Sequence, residues 1–276
     1  MVPQFQNGFL TFRDMDRVTV SVVDATGNLV MTRKISIPDA VVTGVSAVAV
    51  SPLKKVVMSA SAKDADGRFA SVLILTDLSG SGTTVVRTTP YAATVVAFLP
   101  DGRLLCVGRE YDDQFNSVPD YSIVRFYSND GNLLGKALNI TQTNLGRKDV
   151  QPLNWQPVFG ADRIGLFDHF TSQRYMEIDH NGAMIRPPGP LGSGVDKNVS
   201  GIALLSTGDR LVSGGQGPLD IFRLKGANGS ITKELINALP LPNGVTALRV
   251  LGTWNNDLAL MGLPGERLVF VPQPVA

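Results

Sequence analysis

The sequence predicts an all-β protein: a six-bladed β-propeller whose blades have mostly four antiparallel strands. An apolar run, a Pro-Asp-Gly turn and a second apolar run fill residues 99–108, and variants of this pattern recur along the chain. A period in the forties with several short strands per copy is typical of propeller blades. The second strands of successive copies start near Phe9, Val56, Leu104, Ile164, Leu211 and Leu258, at intervals of 47, 48, 60, 47 and 47 residues.

Each copy contains four short runs rich in Val, Ile, Leu and Thr, which are labelled strands A to D in chain order. In the second copy these runs cover residues 46–50, 56–60, 71–76 and 84–88. The turns between strands C and D place a glycine where a tight hairpin needs a positive φ, at Gly27, Gly131, Gly182 and Gly229. No helical periodicity of any length is present. We therefore expect one domain that spans residues 1–276.

The two ends of the chain are incomplete copies. The first copy has clear B, C and D strands, whereas the last copy has A, B and C and then stops. We expect residues 2–6 to serve as the missing outer strand of the last blade, which would leave the first blade with three strands.

The composition excludes several classes of partner. Charged residues make up 18% of the chain and the net charge is +1, so no electrostatic field attracts nucleic acid or an anionic membrane. No apolar run is long enough for a membrane helix, which argues against membrane insertion. Cys106 is the lone cysteine, so an internal disulfide is impossible, and we expect it to be a small buried residue. We expect a monomer without a cofactor.

The beginning of the sequence carries no targeting signal. It lacks both the basic and the apolar region of a signal peptide. The location stays open: periplasmic or secreted if a leader has been removed, and cytoplasmic otherwise.

The long connections of the chain are predicted to gather on one face. In a propeller, the B–C and D–A connections emerge on one face, and the A–B and C–D turns emerge on the other. The connections that look long and irregular are all B–C or D–A, at residues 62–70, 109–121, 141–153 and 187–198. Loops on a rigid scaffold are the usual place for binding residues. This face is therefore the predicted binding face.

The two connections that flank the third and fourth blades carry an aromatic and cationic set. Such sets form the centres of recognition surfaces, and the partner would be a protein or a small polar ligand. Phe115 and Trp155 have a simpler interpretation, in which they only pack the loops down. The predicted binding residues are Arg109, Tyr111, Asp113, Phe115, Arg147, Lys148 and Trp155.

Acidic residues follow strand B in four of the six blades. Carboxylates that converge on a channel mouth can hold Ca²⁺, which prefers oxygen ligands. They can equally form salt bridges between blades or face solvent. The residues are Asp14, Asp64, Glu110 and Asp168.

Two motifs resemble those of a known group. Residues 99–105, Leu-Pro-Asp-Gly-Arg-Leu-Leu, and residues 129–134, Asn-Asp-Gly-Asn-Leu-Leu, are similar to blades of bacterial six-bladed propellers that include NHL-repeat and gluconolactonase-like proteins. The Trp-Asp and Gly-His dipeptides of WD40 repeats are missing. For the gluconolactonase branch, the resemblance implies one divalent cation held in the channel by Glu, Asn and Asp. Pro242-Asn243-Gly244 matches part of that pattern, but residues 252–257 do not, and no matching Glu stands near Phe9.

The sequence thus leaves two functions open. The first is a noncatalytic propeller that binds a protein or small ligand with its long-loop face. The second is a divalent-metal lactonase or hydrolase with its site at the central channel, where one ion such as Ca²⁺ would be the cofactor. The ligands in the second case would be Asp14, Glu110, Asp168 and Asn243.

Overall fold

The backbone forms six antiparallel sheets. A computed structural model describes residues 3–114, 116, 118–143, 155–168, 174–191, 199–214, 220–225, 232–235 and 239–274. In this part of the chain there are 23 β-strands and a short 3₁₀ helix, Ile140–Thr143. Strands within each sheet follow one another in chain order, so each sheet is a blade made from one continuous stretch of sequence. The fold is a six-bladed β-propeller, as predicted.

The chain divides into two compact units. The first comprises residues 1–155 and 180–183, and the second comprises residues 156–179 and 184–276. The first unit contains three four-stranded blades. Their strands are β1 (Gln4–Gln6), β2 (Phe9–Arg13), β3 (Thr19–Asp24) and β4 (Leu29–Lys34); β5 (Ala40–Val50), β6 (Lys55–Asp64), β7 (Phe69–Asp77) and β8 (Thr84–Arg87); and β9 (Tyr91–Phe98), β10 (Leu104–Glu110), β11 (Ser122–Tyr127) and β12 (Leu133–Asn139).

The second unit contains most of the fourth blade and the fifth and sixth blades. The sixth sheet has three strands within the described residues, and the other two have four. Their strands are β13 (Trp155–Phe159), β14 (Arg163–Asp168), β15 (Arg174–Asp179) and β16 (Met184–Pro190); β17 (Val199–Leu204), β18 (Arg210–Gly214), β19 (Asp220–Lys225) and β20 (Thr232–Leu235); and β21 (Thr246–Trp254), β22 (Asp257–Leu263) and β23 (Arg267–Pro272).

The Pro-Asp-Gly turn starts the second strand of the third blade as the sequence predicts. Gly102 adopts a φ of 85°, and its amide donates to the Leu99 carbonyl at 2.9 Å. The Asp101 carboxylate accepts a hydrogen bond from the Arg103 amide at 3.0 Å, which closes the turn. In all six blades the observed second strand begins at or within one residue of the predicted start.

The prediction for the beginning of the chain is wrong. β1 pairs with β2 of its own blade, with Gln4 opposite Thr11 and Gln6 opposite Phe9, and is not the outer strand of the last blade. The cause is the turn between the two strands, because Asn7 and Gly8 both adopt a positive φ, 54° and 79°. Such a two-residue turn directs the chain straight back into an antiparallel partner.

Three of the predicted long connections overlap regular strands, although 109–121 does so only at the last two residues of β10. The segment 62–70 is mostly strand, because β6 continues to Asp64 and β7 already begins at Phe69. The Gly67 amide donates to the Asp64 carbonyl at 3.0 Å and closes a short turn in place of an irregular loop. The segment 187–198 begins inside β16, which ends at Pro190, and its residues 192–198 lie outside the described part of the chain.

Neighbouring blades in each unit pack through small and branched apolar side chains. In the first unit, one cluster joins the first and second blades and a second cluster joins the second and third. In the second unit, corresponding clusters join the fourth and fifth blades and the fifth and sixth. Cys106 is a fully buried member of one cluster, as predicted, and burial raises the pKa of its thiol. No helix among the described residues has the length and apolar character to cross a membrane.

Candidate functional site

The B–C connections of the first three blades are closed by aspartates. A carboxylate in each connection accepts hydrogen bonds from backbone amides that follow it, as in an Asx turn. For Asp16, the bond from the Thr19 hydroxyl is the main cause of a lowered carboxyl pKa. These acids therefore have a structural role in the turns. The bonds run to Asp16 from the amides of Val18 (3.0 Å) and Thr19 (2.8 Å), to Asp64 from those of Asp66 (3.0 Å) and Arg68 (2.9 Å), and to Asp112 from those of Gln114 (2.9 Å) and Asn116 (2.8 Å).

Two of these connections also hold a cation against an aromatic ring. In the second blade, Lys63 Nζ lies 4.5 Å from the centroid of the Phe69 ring. In the third blade, Arg109 Cζ lies 4.0 Å from the centroid of the Tyr111 ring. A cation over a ring face is attracted by the ring quadrupole. Each pair thus presents an apolar plane and a positive charge at the end of a rigid strand.

A mostly buried ion pair lies beneath the third-blade connection. Glu110 forms an ion pair with Arg125, whose guanidinium carbon lies 4.1 Å from the centroid of the Tyr91 ring. The Tyr91 hydroxyl lies 3.0 Å from the Cys106 carbonyl and 2.7 Å from the Ile123 carbonyl, and burial raises its pKa. Because Glu110 ends strand β10, its pairing with Arg125 fixes the point at which the connection leaves the blade.

Hydrogen bonds tie the first and third connections, and strand β7 of the second blade, to neighbouring segments at this face. The Val45 amide of β5 donates to the Arg17 carbonyl of the first connection at 2.8 Å. The Ser71 amide of β7 donates to Thr89 Oγ1 at 2.9 Å, and the Tyr111 amide donates to the Pro90 carbonyl at 3.1 Å. The D–A connection at residues 88–90 therefore links the second and third blades at this face.

The structure brings together part of the predicted binding set. Arg109 and Tyr111 are in contact, and Asp113 is exposed in the same connection. Trp155 is the first residue of β13 and is 4% exposed, so its ring is packed, in line with the simpler interpretation of this residue. The remaining three, Phe115, Arg147 and Lys148, lie outside the described residues.

The residues suggested as metal ligands differ in their burial and their contacts. Asp14 lies in an exposed turn, and Asn243 lies in another exposed turn before β21. Glu110 is engaged by Arg125, and Asp168 is a fully buried residue at the end of β14. Among the residues that the structure describes, no group of three or more His, Cys, Asp or Glu side chains is placed to hold a metal ion.

Glutamine and threonine side chains tie the first blade to the third and second blades. Gln4 Nε2 donates to the Val96 carbonyl at 3.0 Å, and Gln6 Nε2 donates to the Phe98 carbonyl at 2.9 Å, so β1 is tied to β9 of the third blade. Thr11 Oγ1 donates to the Val48 carbonyl of β5 at 3.1 Å. Sequence reasoning missed this network, although the alternation Gln4-Phe5-Gln6 places two amides on one face of a strand.

A buried charge cluster in the second unit was also missed. Glu177 and Arg210 have fully buried side chains and lie 2.6 Å apart, and Arg163 Nη1 lies 3.2 Å from the other oxygen of Glu177. The Arg210 guanidinium carbon lies 5.2 Å from the centroid of the Tyr175 ring, and burial raises the pKa of the tyrosine hydroxyl. The only sequence signal is one acid inside the apolar run of β15.

Comparison with known proteins supports the fold and no family. No protein-family model matches the chain, and no curated protein matches it. Solved structures match at low identity: a protein of unknown function from Bacteroides caccae (TM-score 0.51, 14% identity, 99% of this chain and 90% of that one) and a luciferin-regenerating enzyme (0.51, 13%, 99% and 90%). A third is the PQQ-bound aldose sugar dehydrogenase of Streptomyces coelicolor (0.51, 16%, 98% and 94%). At these identities the similarity shows the propeller fold alone.

Proposed function

We propose that this chain is a noncatalytic binding propeller that recognises a protein or a small polar ligand with its B–C and D–A face. The supporting observation is that several acids on that face of the first unit hold structural bonds, while an arginine and a tyrosine lie together at a strand end. Four of the acids on that face are engaged in the structure, by backbone amides at Asp16, Asp64 and Asp112 and by a guanidinium at Glu110. Arg109 and Tyr111 form a half-buried cation–π pair at the end of β10.

The proposal places the binding centre at the third-blade connection. Arginine and tyrosine are enriched among residues that dominate binding energy, and losing one such residue costs about 2 kcal/mol or more. That cost corresponds to a loss of roughly thirtyfold in affinity. Arg109 and Tyr111 are held by a strand end on one side and by the Pro90 carbonyl on the other, so little ordering is required on binding.

Affinity capture followed by mass spectrometry tests this proposal. The wild-type chain, Arg109→Ala and Tyr111→Ala would serve as baits, with Leu29→Ala as the control on the C–D turn face, where Leu29 is 61% exposed. We expect Arg109→Ala and Tyr111→Ala each to lose a partner that the wild type and the control both retain, with unchanged circular dichroism. Retention of every partner by both of these variants would show that the site lies elsewhere.

A metal-dependent lactonase or hydrolase is the second candidate. It is supported by the resemblance of Pro242-Asn243-Gly244 to the gluconolactonase pattern and by the enzymes among the similar structures. Its test is thermal unfolding with EDTA and then with added Ca²⁺, Mg²⁺, Mn²⁺ or Zn²⁺. An ion bound by the native state alone at a hundredfold excess over its Kd adds roughly 2.7 kcal/mol of stability. A fall in Tm with EDTA that one ion restores would favour this candidate, and no shift would favour the binding protein.

A further inference from the structure

The second blade extends beyond its neighbours at the B–C face and carries an exposed surface there. Strands β5, β6 and β7 have 11, 10 and 9 residues. Near the tip of this sheet, Val41 lies opposite Lys63 and Lys63 lies opposite Phe69. Residues directly opposite in antiparallel strands share a face. Val41, Lys63 and Phe69 therefore form one row across the sheet, which we call the ledge.

The ledge lies on the side of the second blade that faces the third blade. The register between β6 and β7 is continuous, so Lys63 and Ser59, four residues apart, point the same way. Ser59 Oγ donates to the Ala93 carbonyl of β9 at 2.7 Å, which identifies this side. At the level of the ledge, Val41 is 70% exposed and Phe69 is 45% exposed.

The opposite side of the same tip is covered. Val42, Ala62 and Ala70 are at most 9% exposed, and the cluster that contains Val42 also includes Ile35 and Ile37 from the preceding connection. One side of the extended sheet is thus packed by this chain while the other side leaves two large apolar groups in water. A row of exposed apolar groups on a rigid element is a surface that a partner can cover.

The charges around the ledge indicate which charge a partner should carry. Lys63 is held over the Phe69 ring, and among the described residues no carboxylate forms an ion pair with its ammonium group. The acids of the same turn are engaged elsewhere, because Asp64 accepts from backbone amides and Asp66 lies 3.7 Å from Arg68. The ledge therefore presents one positive charge between two apolar groups, which is complementary to one carboxylate between two apolar groups.

We propose that the ledge binds an extended acidic segment of a partner protein, with a carboxylate on Lys63 and aliphatic side chains on Val41 and Phe69. This inference rests on the proposed function and names the chemistry of its partner. An anionic membrane fits less well, because a lipid surface binds clusters of basic residues, whereas the turn beside Lys63 has one further base, Arg68, against two acids.

The test uses two fluorescent ten-residue peptides of alternating sequence, Leu-Glu and Leu-Lys, in fluorescence anisotropy titrations. The variants are Lys63→Glu and the control Lys55→Glu, which lies on the same face of the same strand at its other end. Because Lys55 pairs with Asp77, circular dichroism checks that the control keeps its fold. Both variants change the net charge by the same amount. We expect the wild type and the control to bind the acidic peptide at least tenfold more tightly than the basic one, and Lys63→Glu to lose this preference. Phe69→Ala should weaken acidic-peptide binding severalfold.

Three results would overturn the inference. These are equal binding of the two peptides by the wild type, equal losses in Lys63→Glu and Lys55→Glu, and sedimentation with phosphatidylserine vesicles that depends on Lys63. The proposed function is tested separately by the variants Arg109→Ala and Tyr111→Ala. If they lose a captured partner while the acidic peptide fails to bind, the ledge chemistry is wrong and the binding function stands.

Discussion

Replacing Arg210 with methionine removes one half of a buried ion pair and leaves Glu177 charged in the core. Both side chains are fully buried, and the closest nitrogen and oxygen lie 2.6 Å apart. Breaking such a pair costs about 3–5 kcal/mol, because the remaining charge has lost its solvent and its partner. Arg163 still lies 3.2 Å from Glu177, so we expect the lower part of this range, about 3 kcal/mol. For a chain of this size that corresponds to a fall in Tm of roughly 6–12 °C.

The control is an ion pair of similar chemistry on the surface of the protein. Lys55 and Asp77 lie 3.4 Å apart with side chains 54% and 42% exposed, so Lys55→Met should cost less than about 1 kcal/mol. Urea unfolding followed by circular dichroism measures both changes. The double variant Arg210→Met with Glu177→Leu should regain most of the loss, since no charge is then buried alone. If Arg210→Met costs no more than Lys55→Met, or if the double variant is as unstable as the single one, the reasoning is refuted.

Three further predictions concern the first unit. Gln6→Leu leaves a buried carbonyl of β9 without its donor and should cost about 1–3 kcal/mol in urea unfolding, and a loss below 0.5 kcal/mol would contradict this. Gly108→Ala drives a Cβ into the backbone of the facing strand and should lower the Tm by several degrees, whereas Gly135→Ala, with open space around it, should have no such effect. Hydrogen bonds from Thr19 and Asn116 lower the carboxyl pKa of Asp16 and Asp112, and NMR titration should find both below the value of an unperturbed aspartate. The stability that they add is complete above that ordinary pKa and is lost as the pH falls through the lowered pKa.

Local turn chemistry made most of the fold predictable. The Pro-Asp-Gly turn at residues 100–102 specifies a positive φ and a capped strand start by its own residues, so its copies locate the second strand of each blade. The tip at 62–70 was misjudged because Lys63 and Asp64 look like loop residues. They continue the strand because their backbone pairs with β5 and β7. The amino-acid composition of the segment does not reveal this pairing.

The site was less predictable because its contacts cross long stretches of sequence. Neighbours such as Arg109 and Tyr111, two residues apart on one strand end, could be grouped from the sequence. Glu110 could not be assigned to Arg125, since the pairing depends on which face of β10 and β11 each side chain occupies. The acceptors of Gln4 and Gln6 lie 92 residues away, and no local pattern identifies them.

The bonds from β1 to β9 have a consequence for how the first blade folds during synthesis. Each blade is a continuous stretch of sequence, so the first blade can form its own sheet soon after it leaves the ribosome. Its two glutamine amides nevertheless find their acceptors at Val96 and Phe98, which are translated only with the third blade. The hydrogen-bonding groups of the first blade are therefore not all paired until the chain has been made as far as Phe98. A chain halted before that point would expose two unpaired amides along its innermost strand.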